Sequence, residues 1–105
     1  MVIARHGDSP GLVLTGIIEL SDLERLRAAL LDAARPGHPE VVLDLIGVPF
    51  LRIAELRTIV TTAQELAHGG HRLLLHLAPH HEWAINAVGW AGAPGLVLAN
   101  GDLPR

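Results

Sequence analysis

His80-His81-Glu82, with His76 just upstream, is the densest group of possible metal ligands or proton carriers in a chain of 105 residues and seven histidines. A zinc site needs three or four side chains converging on one point, each steadied by a further hydrogen bond. Adjacent histidines on a helix diverge by about 100°, so His80 and His81 do not readily share one ion. His68 and His71 flank Gly69-Gly70 and are spaced to approach each other, but two ligands do not close a site. The histidines therefore read as solvated surface groups, with no metal and no cofactor expected. Several of them on one surface would make partner binding respond to pH.

Other reactive chemistry is scarce. Cysteine is absent, and all eight cations are arginine. That removes disulfides, thiol nucleophiles, zinc–thiolate sites, Schiff-base lysines and a phosphate-loop lysine. No nucleophile elbow, glycine-rich phosphate loop or carboxylate pair at helical spacing appears, so no enzyme activity and no catalytic residue is expected. Asp44 closes an apolar run and reads as an acceptor for the backbone of the next turn. Thr58, Thr61 and Thr62 read as ordinary helix-surface hydroxyls rather than phosphorylation sites. Trp83 and Trp90 stand seven residues apart, a spacing that would put both on one helix face. One of them at an exposed rim would suit a partner anchor.

The stretch from Val41 to Leu56 is the most informative. It reads as a buried strand ending at Asp44-Leu45, a Gly47/Pro49 turn, and the opening of an amphipathic helix. A strand-to-helix turn offers unpaired backbone N–H groups where an anion or a partner can dock. This helix opens with Arg52, Ile53, Ala54 and Glu55, a sequence without a hydroxyl or glycine run to receive a phosphate.

The elements that must hold this turn can be placed from composition and periodicity. Half of the residues are hydrophobic, and mean hydropathy is +0.36. This fits a buried sheet with Ala-rich helices, or such a sheet with one further apolar face for a partner. At 105 residues, positions 1–105 make one domain. The formal charge of −3 argues against nucleic-acid binding. No apolar run approaches the ~20 residues that span a bilayer, and no signal-peptide pattern opens the chain. A cytoplasmic protein without membrane insertion is expected.

Met1–Arg5 and Leu12–Leu20 read as a strand pair around the His6–Gly11 turn cluster. Ser21-Asp22-Leu23-Glu24 has the form of a capping box, opening a helix to about Ala34. Val41–Leu45 is a strand covered on at least one face. A second helix runs from about Arg52 to Ala67, with Ile53, Leu56, Ile59, Val60, Ala63 and Leu66 at helical spacing, and Gly69-Gly70 closes it. His71–Leu77 is a strand, His80–Ala91 a third helix and Leu96–Ala99 a last strand before an Asn100-Gly101-Asp102 turn and a frayed tail. The order β-β-α-β-α-β-α-β predicts an α/β fold: a mixed sheet of about five strands packed with about three main helices.

Three segments in this order resemble the STAS domain, the fold of bacterial anti-sigma factor antagonists. Thr15-Gly16-Ile17-Ile18-Glu19-Leu20 is similar to that family's Gly-Glu-Leu/Ile-Asp stretch before a capped helix. Val41–Leu51 is similar to its strand and Leu-Asp-Leu-Ser-Gly-Val turn. Gly69–Leu75 is similar to its Gly-Gly helix end running into an apolar strand. The resemblance covers about Leu12 to Ala99 and implies a signalling protein of transcription regulation that acts by protein binding. It also implies an anti-sigma factor, often a kinase, as the partner. In such regulators an Asp-Ser-Ser-Gly turn carries the phosphorylated serine. Here Arg52, Ile53, Ala54 and Glu55 stand in those places. The switch-serine position is Ile53, which has no hydroxyl, so the resemblance implies no phosphorylation there.

The partner-binding residues expected on this basis are Val48, Phe50, Arg52, Ile53, Glu55 and Arg57. Arg52 opposes the helix dipole by roughly 0.3–1 kcal/mol, and an i,i+3 pair with Glu55 would offset part of that. The turn reads either as a surface that drifted after losing its switch, or as one where Glu55 supplies a permanent negative charge and Arg52 redirects partner choice. Alternative functions are an accessory STAS subunit of a transporter ATPase, a homodimeric scaffold, or a small-ligand sensor using an apolar groove beside the turn.

Overall fold

Val41, Leu43 and Leu45 have no exposed surface, while Val42 and Asp44 between them are half-buried. That alternation belongs to a strand covered on one face. The strand is β3 (Glu40–Gly47), the middle of five. The computed structural model describes residues 1–7, 9–90 and 92–100. Around β3 lie β1 (Val2–Arg5), β2 (Gly11–Thr15), β4 (Arg72–Leu77) and β5 (Leu96–Asn100), in the sheet order β1-β2-β3-β4-β5. β1 and β2 form the expected antiparallel hairpin, and the other neighbours pair in parallel. Helices α1 (Leu23–Ala33), α2 (Ile53–His68) and α3 (Pro79–Ala87) link the parallel strands. The order of elements read from the sequence is the order observed. None of the described helices is long and apolar enough to cross a membrane.

Sequential parallel strands joined by right-handed crossovers carry their helices on one face of the sheet. The core lies there. Leu12, Leu14, Leu43, Leu45, Leu73, Leu75 and Leu77 from the strands join Leu26 and Leu30 of α1, Leu56, Ile59, Ala63 and Leu66 of α2, and Ile85 of α3. Arg27 of α1 fastens α2 with a two-pronged contact to Glu65, at 2.8 and 2.7 Å. That hydrogen bond holds the Glu65 carboxyl below the usual carboxylate range.

Several local expectations change. The β2 strand ends at Thr15, and a single 3-10 turn, Leu20–Asp22, precedes α1. The cap therefore forms earlier than Ser21/Glu24: Glu19 N–H donates to Asp22 Oδ2 at 2.9 Å, and Glu24 instead meets Arg27 at 3.1 Å. The extra turn shifts the orphan N–H groups upstream, and the carboxylate within reach is that of Asp22. Helix α3 ends at Ala87, not Ala91, with Gly89 in the left-handed region (φ +78°). Trp83 and Trp90 therefore do not share a helix face. Trp83 is exposed, whereas the Trp90 side chain packs against the core and its backbone N–H donates to the Ile85 carbonyl at 3.1 Å. The Asn100-Gly101-Asp102 turn and the tail lie outside the described residues.

Candidate functional site

Between β3 and α2 the chain turns through Val48 to Arg52. Two bonds set this turn: Val48 N–H to the Leu45 carbonyl, and Ile46 N–H to Asp44 Oδ1, both 3.0 Å. The second is the backbone bond that the position of Asp44 led one to expect. Val48 then drops into the core, and Phe50 stays outside.

Arg52 is the N-cap of α2, in extended conformation. Its backbone N–H and its Nε both donate to Glu55 Oε1, at 3.0 and 3.1 Å. Its Nη2 donates to the Ile18 carbonyl at 2.6 Å. The expected i,i+3 pair is therefore formed, and the guanidinium also bridges to the loop after β2. Its Cζ lies 5.5 Å from the centre of the Phe50 ring, within reach of a cation–π contact. A cation that would oppose the helix dipole is thus turned back from the helix and bound on three sides.

Glu55 has no exposed surface, and its Oε2 is buried without a hydrogen-bond partner. This removes the reading in which Glu55 offers a permanent negative charge to a partner. Of the six residues singled out in the sequence, Phe50, Arg52, Ile53 and Arg57 are exposed, and Val48 and Glu55 are not. The division is physical. Val48 fills the core beneath the turn, and Glu55, in the first turn of α2, folds back to cap residue 52.

Two loops flank these residues. Gly16 N–H donates to the Gly47 carbonyl at 3.2 Å, and with the Arg52–Ile18 bond this brings Gly16–Glu19 alongside. On the other side, His80 Nε2 lies 2.9 Å from the Pro49 carbonyl. Ile17, Leu20, Phe50 and Ile53 are 42–68% exposed, unusual for such large apolar side chains. Trp83, one helical turn beyond His80, is 74% exposed. Ile17 and Leu20 escaped the sequence reading because adjacent apolar residues in a loop do not reveal which faces inward; here Ile18 does.

The histidines part from expectation at α3. His80 and His81 do not diverge: their ring centroids are 4.1 Å apart. His80 is drawn to Pro49, while His81 folds back so that its Nδ1 accepts the Ala78 N–H at 3.3 Å. Nor is His81 solvated; it is buried, and its Nε2 has no hydrogen-bond partner. Accepting at Nδ1 requires the neutral ring with its proton on Nε2. Burial lowers the His81 pKa, the nearby His80 adds to the effect, and a backbone interaction with Val48 opposes it. Because the folded state disfavours the proton, His81 contributes stability that is complete above its unfolded pKa of about 6.5 and is lost as pH falls. H81N, which keeps an acceptor near the Nδ1 position but cannot titrate, should lose less stability than wild type between pH 7.5 and 5.5 in urea unfolding. Equal losses would place the acid sensitivity elsewhere.

Elsewhere, His71 Nδ1 lies 2.8 Å from the His38 carbonyl, and the His6 and His76 rings are 6.0 Å apart. Among the described residues no three potential ligands gather as a metal site would require. Thr62 is buried rather than on the helix surface, and Thr61 and Thr62 donate to the carbonyls of Arg57 and Thr58. A groove of about 760 Å³ opens at the other end of the sheet, among Arg5, Asp32, Arg35 and His38.

A family model described as "Mlab, STAS domain" matches residues 1–98. No curated protein sequence matches the chain closely enough to count as a relative. Among solved structures, an anti-sigma factor antagonist from Mycobacterium paratuberculosis is similar at 21% identity and TM-score 0.66, over 91% of this chain and 82% of that one. Unphosphorylated SpoIIAA, also an anti-sigma factor antagonist, is similar at 17% identity and TM-score 0.57, over 94% and 86%. The protein Mglu is similar at 29% identity and TM-score 0.61 over 76% of this chain, which spans only 20% of Mglu. The two antagonists share the fold of this chain. With the family model running along nearly the whole sequence, this chain belongs to the STAS domain family.

Proposed function

We propose that this STAS domain is a non-enzymatic regulatory module that binds a protein partner of the anti-sigma-factor type, in the cytoplasm, without a serine phosphoswitch. One observation carries the reading. Phe50 and Ile53 stand exposed at the mouth of α2 on a turn that Arg52 and Glu55 tie both to itself and to the Ile18 carbonyl. An apolar pair held out to solvent on a fixed backbone suits recognition, because little ordering entropy remains to be lost on binding. Phe50, Arg52, Ile53 and Arg57 form the contact, and Val48 and Glu55 support it from below. Ile17 and Leu20 extend the apolar surface. With Ile53 where relatives of this type carry a serine, the partner is not released by phosphorylation of the turn.

A titration against purified anti-sigma-factor-type kinases and, separately, transporter ATPases with STAS subunits tests the partner class. Saturable binding to a kinase supports the reading. Binding to an ATPase alone would move this protein to the accessory-subunit class.

A further inference from the structure

The sheet has a second face, and none of the described helices covers it: Val2 and Ile46 there are exposed, and Val13, Val42, Leu74 and Val97 are half-buried. Val2, Val13, Val42, Ile46, Leu74 and Val97 alternate with the core residues of their strands, and none of them belongs to the core or packs against it. One charged pair and one carboxylate–imidazole pair of register partners sit on this same face. In the β3–β4 register Glu40 lies opposite Arg72, Val42 opposite Leu74, and Asp44 opposite His76. Arg72 Nη2 meets Glu40 Oε2 at 3.0 Å, with both side chains largely exposed. On this face, therefore, β3 bears acids and β4 bears bases, with an apolar level between them.

We infer that this face is the interface for a second copy of the chain. Consider a two-fold axis lying in the interface, along the strands and between β3 and β4. It places β3 of each copy over β4 of the other at unchanged height. Glu40 then faces the second copy's arginine, Asp44 faces its histidine, and Val42 faces its leucine. The Glu40/Arg72 level is complementary in charge under this one operation, and at the other level each carboxylate meets an imidazole, as a self-matching interface requires. An axis across the strands would instead set like charge over like. Facing sheets pack with their strands about 30° apart, and the outer valines and Ile46 supply the apolar rim. Five strands give a face only about 20 Å across, smaller than obligate interfaces, so a concentration-dependent association rather than a permanent dimer is expected. The interface is separate from the Phe50 turn and does not rest on the function proposed for it.

The test is sedimentation velocity across a concentration series of the full chain, wild type and two charge reversals. E40R makes the level of residues 40 and 72 basic on both strands, and R72E makes that level acidic on both. Each alone should dimerise at least about tenfold more weakly than wild type, with circular dichroism confirming the fold. Mixed in equal amounts they should pair again, since each then meets its opposite across the axis. Wild type that stays monomeric to millimolar concentration, or reversals that leave dimerisation unchanged or fail to recombine, would overturn the inference. If a reversal does not fold, amide shifts of the wild type on concentration decide. Changes centred on Val42, Leu74, His76 and Val97 support the interface, and changes centred on Phe50 and Ile53 sink it.

Discussion

Replacement of Glu55 by alanine is expected to destabilise the fold by about 2 kcal/mol and to weaken partner binding through the same turn. The carboxylate satisfies the backbone N–H of Arg52, a cap whose loss costs about 1 kcal/mol. Removing its buried methylenes leaves a cavity under the helix start, which adds on the order of 1–2 kcal/mol. Its Oε2 has no hydrogen-bond partner, so release from burial returns part of this. The salt bridge contributes little, because the Arg52 side chain is half-exposed. For a domain of this size the net change lowers Tm by on the order of 10 °C. A melting point within two degrees of wild type would mean that the turn holds its shape without Glu55.

The second large effect concerns recognition alone. F50D and I53D each place a charge on the exposed apolar surface at the start of α2 while leaving the core untouched. Each should weaken binding to the partner by about a hundredfold, roughly 2.7 kcal/mol, as a central apolar anchor does when lost. Melting points should stay close to wild type, since both side chains are exposed and neither supplies the Glu55 cap to the Arg52 N–H, and such surface changes cost within about 0.5 kcal/mol. The contrast with E55A separates contact from support: E55A lowers stability and affinity together, F50D and I53D only affinity. Wild-type affinity in both surface variants would remove the turn from the interface.

The fold was legible because its elements follow strong periodic signals. The Val-Val-Leu run of β3, the helical spacing from Ile53 to Leu66 and the Gly69-Gly70 stop each state one local choice without competition. The Arg52–Glu55 pair was legible too, since i,i+3 spacing at a helix start brings the two together. The rest depended on direction rather than pattern. Glu55 is acidic and close to an exposed turn, yet its capping role pulls it inside. His81 looks like a surface histidine, yet the proline-opened helix needs an acceptor for Ala78 and turns the ring inward. Ile17 and Ile18 have the same chemistry, and only the bond from Arg52 to the Ile18 carbonyl fixes which loop lies beside the turn. The sheet face without a described helix was hidden for a similar reason. Val42, Leu74 and Val97 are as apolar as their buried neighbours, and only the placement of the described helices on one side leaves them off the core.

The most direct test of the proposed recognition mode is a calorimetric titration of a kinase partner before and after incubation with ATP, with mass spectrometry of residues 48–57. The same Kd is expected in both titrations, with no phosphate on that segment, because Ile53 offers no acceptor and the Arg52–Glu55 tie keeps the turn in one form. A loss of affinity after ATP, whichever residue of the chain carries the phosphate, would contradict it.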